Sequence, residues 1–109
     1  MKEVENELYG TISYNIESAV FDALSNKFKS VNVEAQSGDY FADVVLDICY
    51  RDIGQGKVYC EIPYVDINEV VVVTPDEYHQ DIADNIQKRL SDDVNSVNSE
   101  LEKSIIECV

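Results

Sequence analysis

The apolar residues of this chain change their spacing twice, and that switch constrains the fold more than any other feature. Ile12, Ile16, Ala19, Val20, Ala23, Leu24 and Phe28 recur at the 3.6-residue period of one helix face. From Ser30 the period falls to two. Val31, Val33 and Ala35 alternate with polar residues, Ser37-Gly38-Asp39 reads as a turn, and Tyr40, Ala42, Val44, Leu46, Ile48 and Tyr50 form one face of a long strand. The opposite face of that strand is mixed: Phe41, Asp43, Val45, Asp47, Cys49 and Arg51. After Val70-Val71-Val72-Val73, which reads as a short doubly buried strand, helical spacing returns. The order predicts an α+β two-layer sandwich of helix, three or four antiparallel strands and helix, with a C-terminal helical extension.

The length of 109 residues fits one domain. The expected divisions are a frayed lead-in or short edge strand over 1–10, an α+β domain over 11–91, and a C-terminal helical extension over 92–109. Gly54-Gln55-Gly56 suits a three-residue hairpin loop, followed by a strand with Val58, Cys60, Ile62 and Tyr64 on its apolar side. Keeping both apolar faces together pairs Ile48 with Ile62 and Leu46 with Tyr64. A two-residue slip is disfavoured because it sets Asp47 opposite Glu61. Asp66 to Asn68 reads as a turn or bulge.

Thr74-Pro75-Asp76-Glu77 carries the signature of a helix start, with threonine as N-cap and proline at the first helical position. Ile82, Ile86, Leu90, Val94, Val97, Leu101 and Ile105 continue that helix. One rod from 75 to about Cys108 would be roughly 50 Å long. A break at Ser91-Asp92-Asp93 is expected, because the rod overhangs a longest strand of about 33–40 Å. A stripe with no sheet beneath it needs another partner, so Val94, Val97, Leu101 and Ile105 are candidate self-association residues.

Helix, three strands, helix is also the order of the double-stranded-RNA-binding domain. That family sets a lysine cluster at the start of its last helix, where this chain has Pro75-Asp76-Glu77-Tyr78. The PD-(D/E)xK nucleases open with the same order and need a lysine two residues after a strand carboxylate. Glu61-Ile62-Pro63 supplies proline instead. Both activities are set aside.

Charge narrows function further. With 22 Asp and Glu against 8 Lys and Arg, the net charge is −14. A chain so acidic is repelled by phosphates and anionic lipids, so no direct nucleic-acid or membrane partner is expected. No apolar run reaches the roughly 18 residues of a membrane span, and no signal peptide is recognised. Three cysteines, Cys49, Cys60 and Cys108, favour a reducing, cytoplasmic setting and read as small buried hydrophobes. His79 is the single histidine and reads as a surface helical residue; no nucleophile is spaced to pair with it. Gly54-x-Gly56 is too short for a phosphate loop, and no calcium-loop pattern occurs. The chain is therefore expected to be no enzyme and to need no cofactor or metal.

The distribution of acids says more than their number. Between Ser30 and Gln87 stand 12 acidic residues and two basic ones, Arg51 and Lys57. Asp43, Asp47 and Glu61 fall on the uncovered sheet face beside Phe41, Val45, Tyr59 and Val65. Glu77, Asp81 and Asp84 follow one helical stripe. These six are the candidate partner-binding residues. An apolar patch edged with carboxylates suits a basic protein surface. In its most concrete form the chain is a nucleic-acid mimic that inhibits a DNA- or RNA-handling nuclease. It resembles phage-borne antagonists of restriction and CRISPR nucleases in composition, with no shared motif. The alternative expectation is a structural or assembly subunit of a phage or larger complex, oligomerising through its C-terminal helix.

Overall fold

The two helices and three strands follow one another as α1 (Lys2–Ser25), β1 (Ser30–Ser37), β2 (Tyr40–Asp52), β3 (Glu61–Val73) and α2 (Gln80–Glu107). This is a computed structural model, and it describes residues 2–52 and 61–107. The strands form one antiparallel sheet in the order β1-β2-β3, and both helices pack on one face of it. The α+β sandwich of helix, antiparallel sheet and helix is the architecture expected from the period switch. The hairpin at 54–56 and the residues Lys57, Val58, Tyr59, Cys60 and Cys108 lie outside the described residues.

Helix α1 corrects the reading of residues 1–10. Residues 2–10 are neither a frayed lead-in nor an edge strand but the first turns of the helix, which runs from Lys2. Leu8 is fully buried and stands four residues before Ile12, so the apolar stripe extends a further turn than Ile12. At its other end α1 stops at Ser25, short of Phe28. The Phe28 N–H donates to the Ala23 carbonyl at 2.9 Å and the Lys27 N–H to the Leu24 carbonyl at 3.1 Å, with Lys27 at φ 59°. This is a Schellman cap with lysine in the left-handed position. Phe28 consequently falls outside the core, and is 57% exposed.

The β1–β2 hairpin closes through Gly38 and Asp39, with Ser37 opposite Tyr40. Gly38 takes φ 59° at the first turn position, a conformation open to glycine in a two-residue hairpin. The β2–β3 register departs from the expected one. Ile48 lies opposite Val65 and Leu46 opposite Ile67, rather than opposite Ile62 and Tyr64. Residues 64 and 65 have exchanged faces: Val65 is buried and Tyr64 turns outward. A bulge opposite Val45/Leu46 then absorbs one residue, Asn68, so that Val70 and Val72 also point into the core. The expected bulge is real, and it joins Val70–Val73 to β3 instead of leaving them as a separate strand. Of those four valines only Val70 and Val72 are buried.

Helix α2 starts later than the Thr74-Pro75 signature suggests. Tyr78 forms a β-bridge back to Val73, and the His79 N–H donates to the Val72 carbonyl at 2.8 Å. The His79 carbonyl accepts the first helical bond, from Ala83, so helix geometry begins at Gln80. The Thr74 hydroxyl bonds the His79 Nε2 at 3.0 Å rather than capping a helix. His79 is accordingly half-buried, with its ring 4.9 Å from that of Tyr40, and is not a surface helical residue.

The helix does not break at Ser91, and its apolar stripe stays on the core as far as Leu101. Its 28 residues span about 42 Å. β3 is longer than its separate pieces implied; its 13 residues reach about 43 Å, a length that matches α2. Val94, Val97 and Leu101 are therefore 6%, 5% and 3% exposed and belong to the same core cluster as Leu46 and Ile86. They face this chain, not another. The side chain of Ile105 is outside the description.

Polar contacts fix how the helices sit. The Tyr9 hydroxyl donates to Asp93 at 2.5 Å and the Ser13 hydroxyl to the same carboxylate at 3.2 Å. Arg89 lies 3.9 Å over the Tyr9 ring and pairs with Glu5 at 3.2 Å. The Ser37 hydroxyl, nearly buried, donates to Glu7 and ties α1 to the first hairpin.

Candidate functional site

With both helices on one side, the other side of the sheet is open. Strand alternation presents Phe41, Asp43, Val45, Asp47 and Cys49 along the central strand. Ser30, Asn32, Glu34 and Gln36 flank them on β1, and Tyr64, Asp66, Glu69, Val71 and Val73 flank them on β3. Five carboxylates thus share one face: Glu34, Asp43, Asp47, Asp66 and Glu69. Arg51, at the end of β2, is the one Lys or Arg in the three strands.

The register stacks these acids against each other. Glu34 stands directly opposite Asp43, and Asp47 directly opposite Asp66. Opposed side chains in an antiparallel pair have Cβ atoms roughly 4.5–5.5 Å apart, and like charges there are destabilising. Two amides moderate the cost. Asn32 Nδ2 donates to both oxygens of Asp43, at 3.2 and 3.3 Å, and Asn68 Nδ2 to Asp47 at 2.7 Å. The bulge thus has a second effect: its extra residue, Asn68, delivers an amide to Asp47. Asp43 and Asp47 are half-buried between Phe41, Val45 and Cys49, while Glu34, Asp66 and Glu69 are exposed.

The six sequence candidates do not converge. Asp43 and Asp47 share the open face. Glu61 begins β3, opposite Asp52, and its side chain is outside the description. Glu77 is exposed in the loop before α2, so the stripe Glu77, Asp81, Asp84 does not exist as a helical feature. Asp81 borders a shallow groove in the helix layer, on the other side of the molecule, with Lys2, Glu5, Lys88 and Arg89. Asp84 accepts a hydrogen bond from Gln80 at 2.9 Å. Sequence reasoning missed Glu34, Asp66 and Glu69. Glu34 was within reach, since it lies between the inward residues Val33 and Ala35. Asp66 and Glu69 required knowing that β3 continues through a bulge.

Among the described residues no three His, Cys, Asp or Glu side chains are grouped to hold a metal ion. Among them, too, no helix is long and apolar enough to cross a membrane. Cys49 is a free thiol, half-buried on the open face. Comparison with protein-family models, curated proteins and solved structures returned no match.

Proposed function

We propose that the chain is a non-catalytic binding protein whose open sheet face docks a basic surface of another protein. The observation that carries this reading is the stacking of Glu34 on Asp43 and of Asp47 on Asp66. Acids placed only for solubility gain nothing from standing directly opposite one another, whereas a docking face gains local potential. Phe41, Val45, Val71 and Val73 supply apolar contact between the charges.

In its most specific form the partner is a nucleic-acid-handling enzyme, and the acids take the place of phosphates. Outward residues on a strand recur about every 6.7 Å. One strand of B-DNA carries a phosphate about every 3.4 Å of helix axis, so carboxylates on a strand match alternate phosphates in axial spacing. The half-burial of Asp43 and Asp47 holds them in fixed positions, as a phosphate backbone would.

The test uses the intact chain and the triple variant Asp43→Asn, Asp47→Asn, Asp66→Asn as paired baits. A protein retained by the first and not by the second is purified and its affinity measured. Affinity is expected to fall at least tenfold between 50 and 500 mM salt, and a DNA or RNA duplex is expected to compete. Equal affinity at both salts rules out the electrostatic reading; failure of the duplex to compete removes only its mimic form.

A further inference from the structure

β3 is an edge strand. Among the described residues that edge is bonded at two places, by α2 at Val65 and by the loop before α2 at Val72 and Val73. At one end the Asn98 side chain takes the place of a neighbouring strand. Its Oδ1 accepts from the Val65 N–H at 2.7 Å and its Nδ2 donates to the Val65 carbonyl at 3.1 Å. At the other end the His79 N–H bonds the Val72 carbonyl and Tyr78 bridges Val73. Strand alternation turns the N–H and C=O of Ile67 to the same side as those of Val65. Past the extra residue Asn68, it turns those of Val70 to the same side as the Val72 carbonyl. No hydrogen bond from the described chain reaches these groups of Ile67 and Val70. Val70 fronts a groove of about 230 Å³, lined by residues 68–72 with Tyr78, Ala83 and Gln87, and Ile67 stands just before it in β3.

Unpaired edge groups in a walled groove call for backbone partners, and the chain's own bonds at both ends show that this edge accepts them. We propose that the window between Val65 and Val72 receives an extended Lys- or Arg-bearing segment of the partner protein as a short fourth strand. The window is about three to four residues long at strand rise. On the open side, an added strand sets its side chains beside Asp66 and Glu69, close enough for cross-strand ion pairs. On the helix side, Ala83 leaves room between Gln80 and Gln87. A second copy of the chain is a poor occupant, because its other edge strand, β1, carries Glu34 and no basic residue. The inference rests on the basic-partner reading and adds how that partner is held.

The experiment uses a blocked octapeptide of alternating Lys and Val with the intact chain at 50 mM salt. Two further versions are N-methylated, one at every Lys and one at every Val. Only alternate N–H groups of an added strand face β3, so one methylated frame is expected to keep its affinity and the other to lose at least tenfold. Exchange of the Ile67 and Val70 amide hydrogens is expected to slow on binding. Gln87→Trp, which fills the groove from an exposed position, is expected to remove the difference between the frames. Equal affinity for all three peptides overturns strand addition. If the Asp43/Asp47/Asp66 triple variant then weakens all three alike, the acidic docking face stands without it. No measurable binding of the unmethylated peptide also overturns the inference.

Discussion

The amide of Asn98 bonds both the N–H and the C=O of Val65, 33 residues away, so one side chain of α2 stands in for a neighbouring strand at that residue of β3. These bonds are half-buried, and replacing Asn98 by Ala leaves both backbone groups unpaired beside the helix. The expected cost is about 1–3 kcal/mol, read as a lower urea midpoint with an unchanged slope. Asn98→Asp keeps the acceptor for the Val65 N–H but sets a second, negative oxygen against the Val65 carbonyl. It should therefore also destabilise at neutral pH and recover in part as the carboxyl is protonated in acid. If Asn98→Ala unfolds at the wild-type midpoint, this side chain does not hold the edge.

Asp66 is the simplest handle on the stacked acids, since it faces Asp47 and makes no described hydrogen bond. Asp66→Asn removes the like-charge pair and keeps the shape. The fold is expected to gain about 0.2–1 kcal/mol at low salt, and the gain is expected to shrink at 0.5 M salt as screening shortens the reach of the charge. A stabilising substitution that weakens partner binding is the mark of a face kept for function. A loss of stability at low salt would argue that Asp66 has a structural bond.

What the sequence carried, and what it did not, follows from the kind of signal. Period and burial made the layers readable: Ile12, Ile16 and Val20 on α1, Val33 and Ala35 on β1, Val44 and Leu46 on β2, and Ile86 and Leu90 on α2 all line the core. Register was not readable. Tyr64 and Val65 are adjacent and both apolar, so β3 could lay either one inward, and the choice is settled by the bulge at Asn68 and by the Asn98 bonds to Val65. The acidic face followed the register. Asp43 and Asp47 were readable from β2 alone, while Asp66 and Glu69 depended on pairing. Thr74-Pro75 misled because a strong cap signal lost to a competing local turn, in which Tyr78 bridges back to Val73 and the Thr74 N–H bonds the Glu77 carbonyl.

The burial of Leu101 carries a prediction about assembly. It is 3% exposed within the chain's own core, three turns beyond the break expected at Ser91. Leu101→Ala should cost about 2–5 kcal/mol, and Val97→Ala somewhat less, both read by denaturant unfolding. Sedimentation of the folded variants should give the wild-type mass. A change of mass without a change of stability would return this stripe to an intermolecular role.

Lys27 holds φ 59° at the cap that ends α1, a conformation costing roughly 1–2 kcal/mol for a residue with a Cβ. Glycine adopts it freely but starts from a more disordered unfolded chain. Lys27→Gly is therefore expected to raise stability by about 0.5–1 kcal/mol, and Lys27→Ala to give none of that gain. Thermal unfolding of the two variants separates the backbone effect from loss of the charge, which both share.

Tyr9 gives the fold a pH dependence on its alkaline side. Its hydroxyl donates to Asp93, and this bond, followed by burial, raises the phenol above its ordinary value of 10.0; Ser13 and the nearby Arg89 pull the other way. A proton held more tightly in the folded state stabilises fully below the unfolded value. That contribution is lost as pH climbs through the higher folded value, because the unfolded chain releases the proton first. Stability is expected to be insensitive to Tyr9 ionisation up to about pH 9 and to fall beyond pH 10. Tyr9→Phe removes the proton and the bond together, costing about 1 kcal/mol at neutral pH. Its disadvantage against the wild type should narrow steadily as the pH is raised past 10. Arg89 can still stack on the phenylalanine ring, so the variant retains the helix contact and isolates the hydroxyl. Parallel stability curves for the two proteins between pH 8 and 11 would show that the Tyr9–Asp93 bond does not exist in solution.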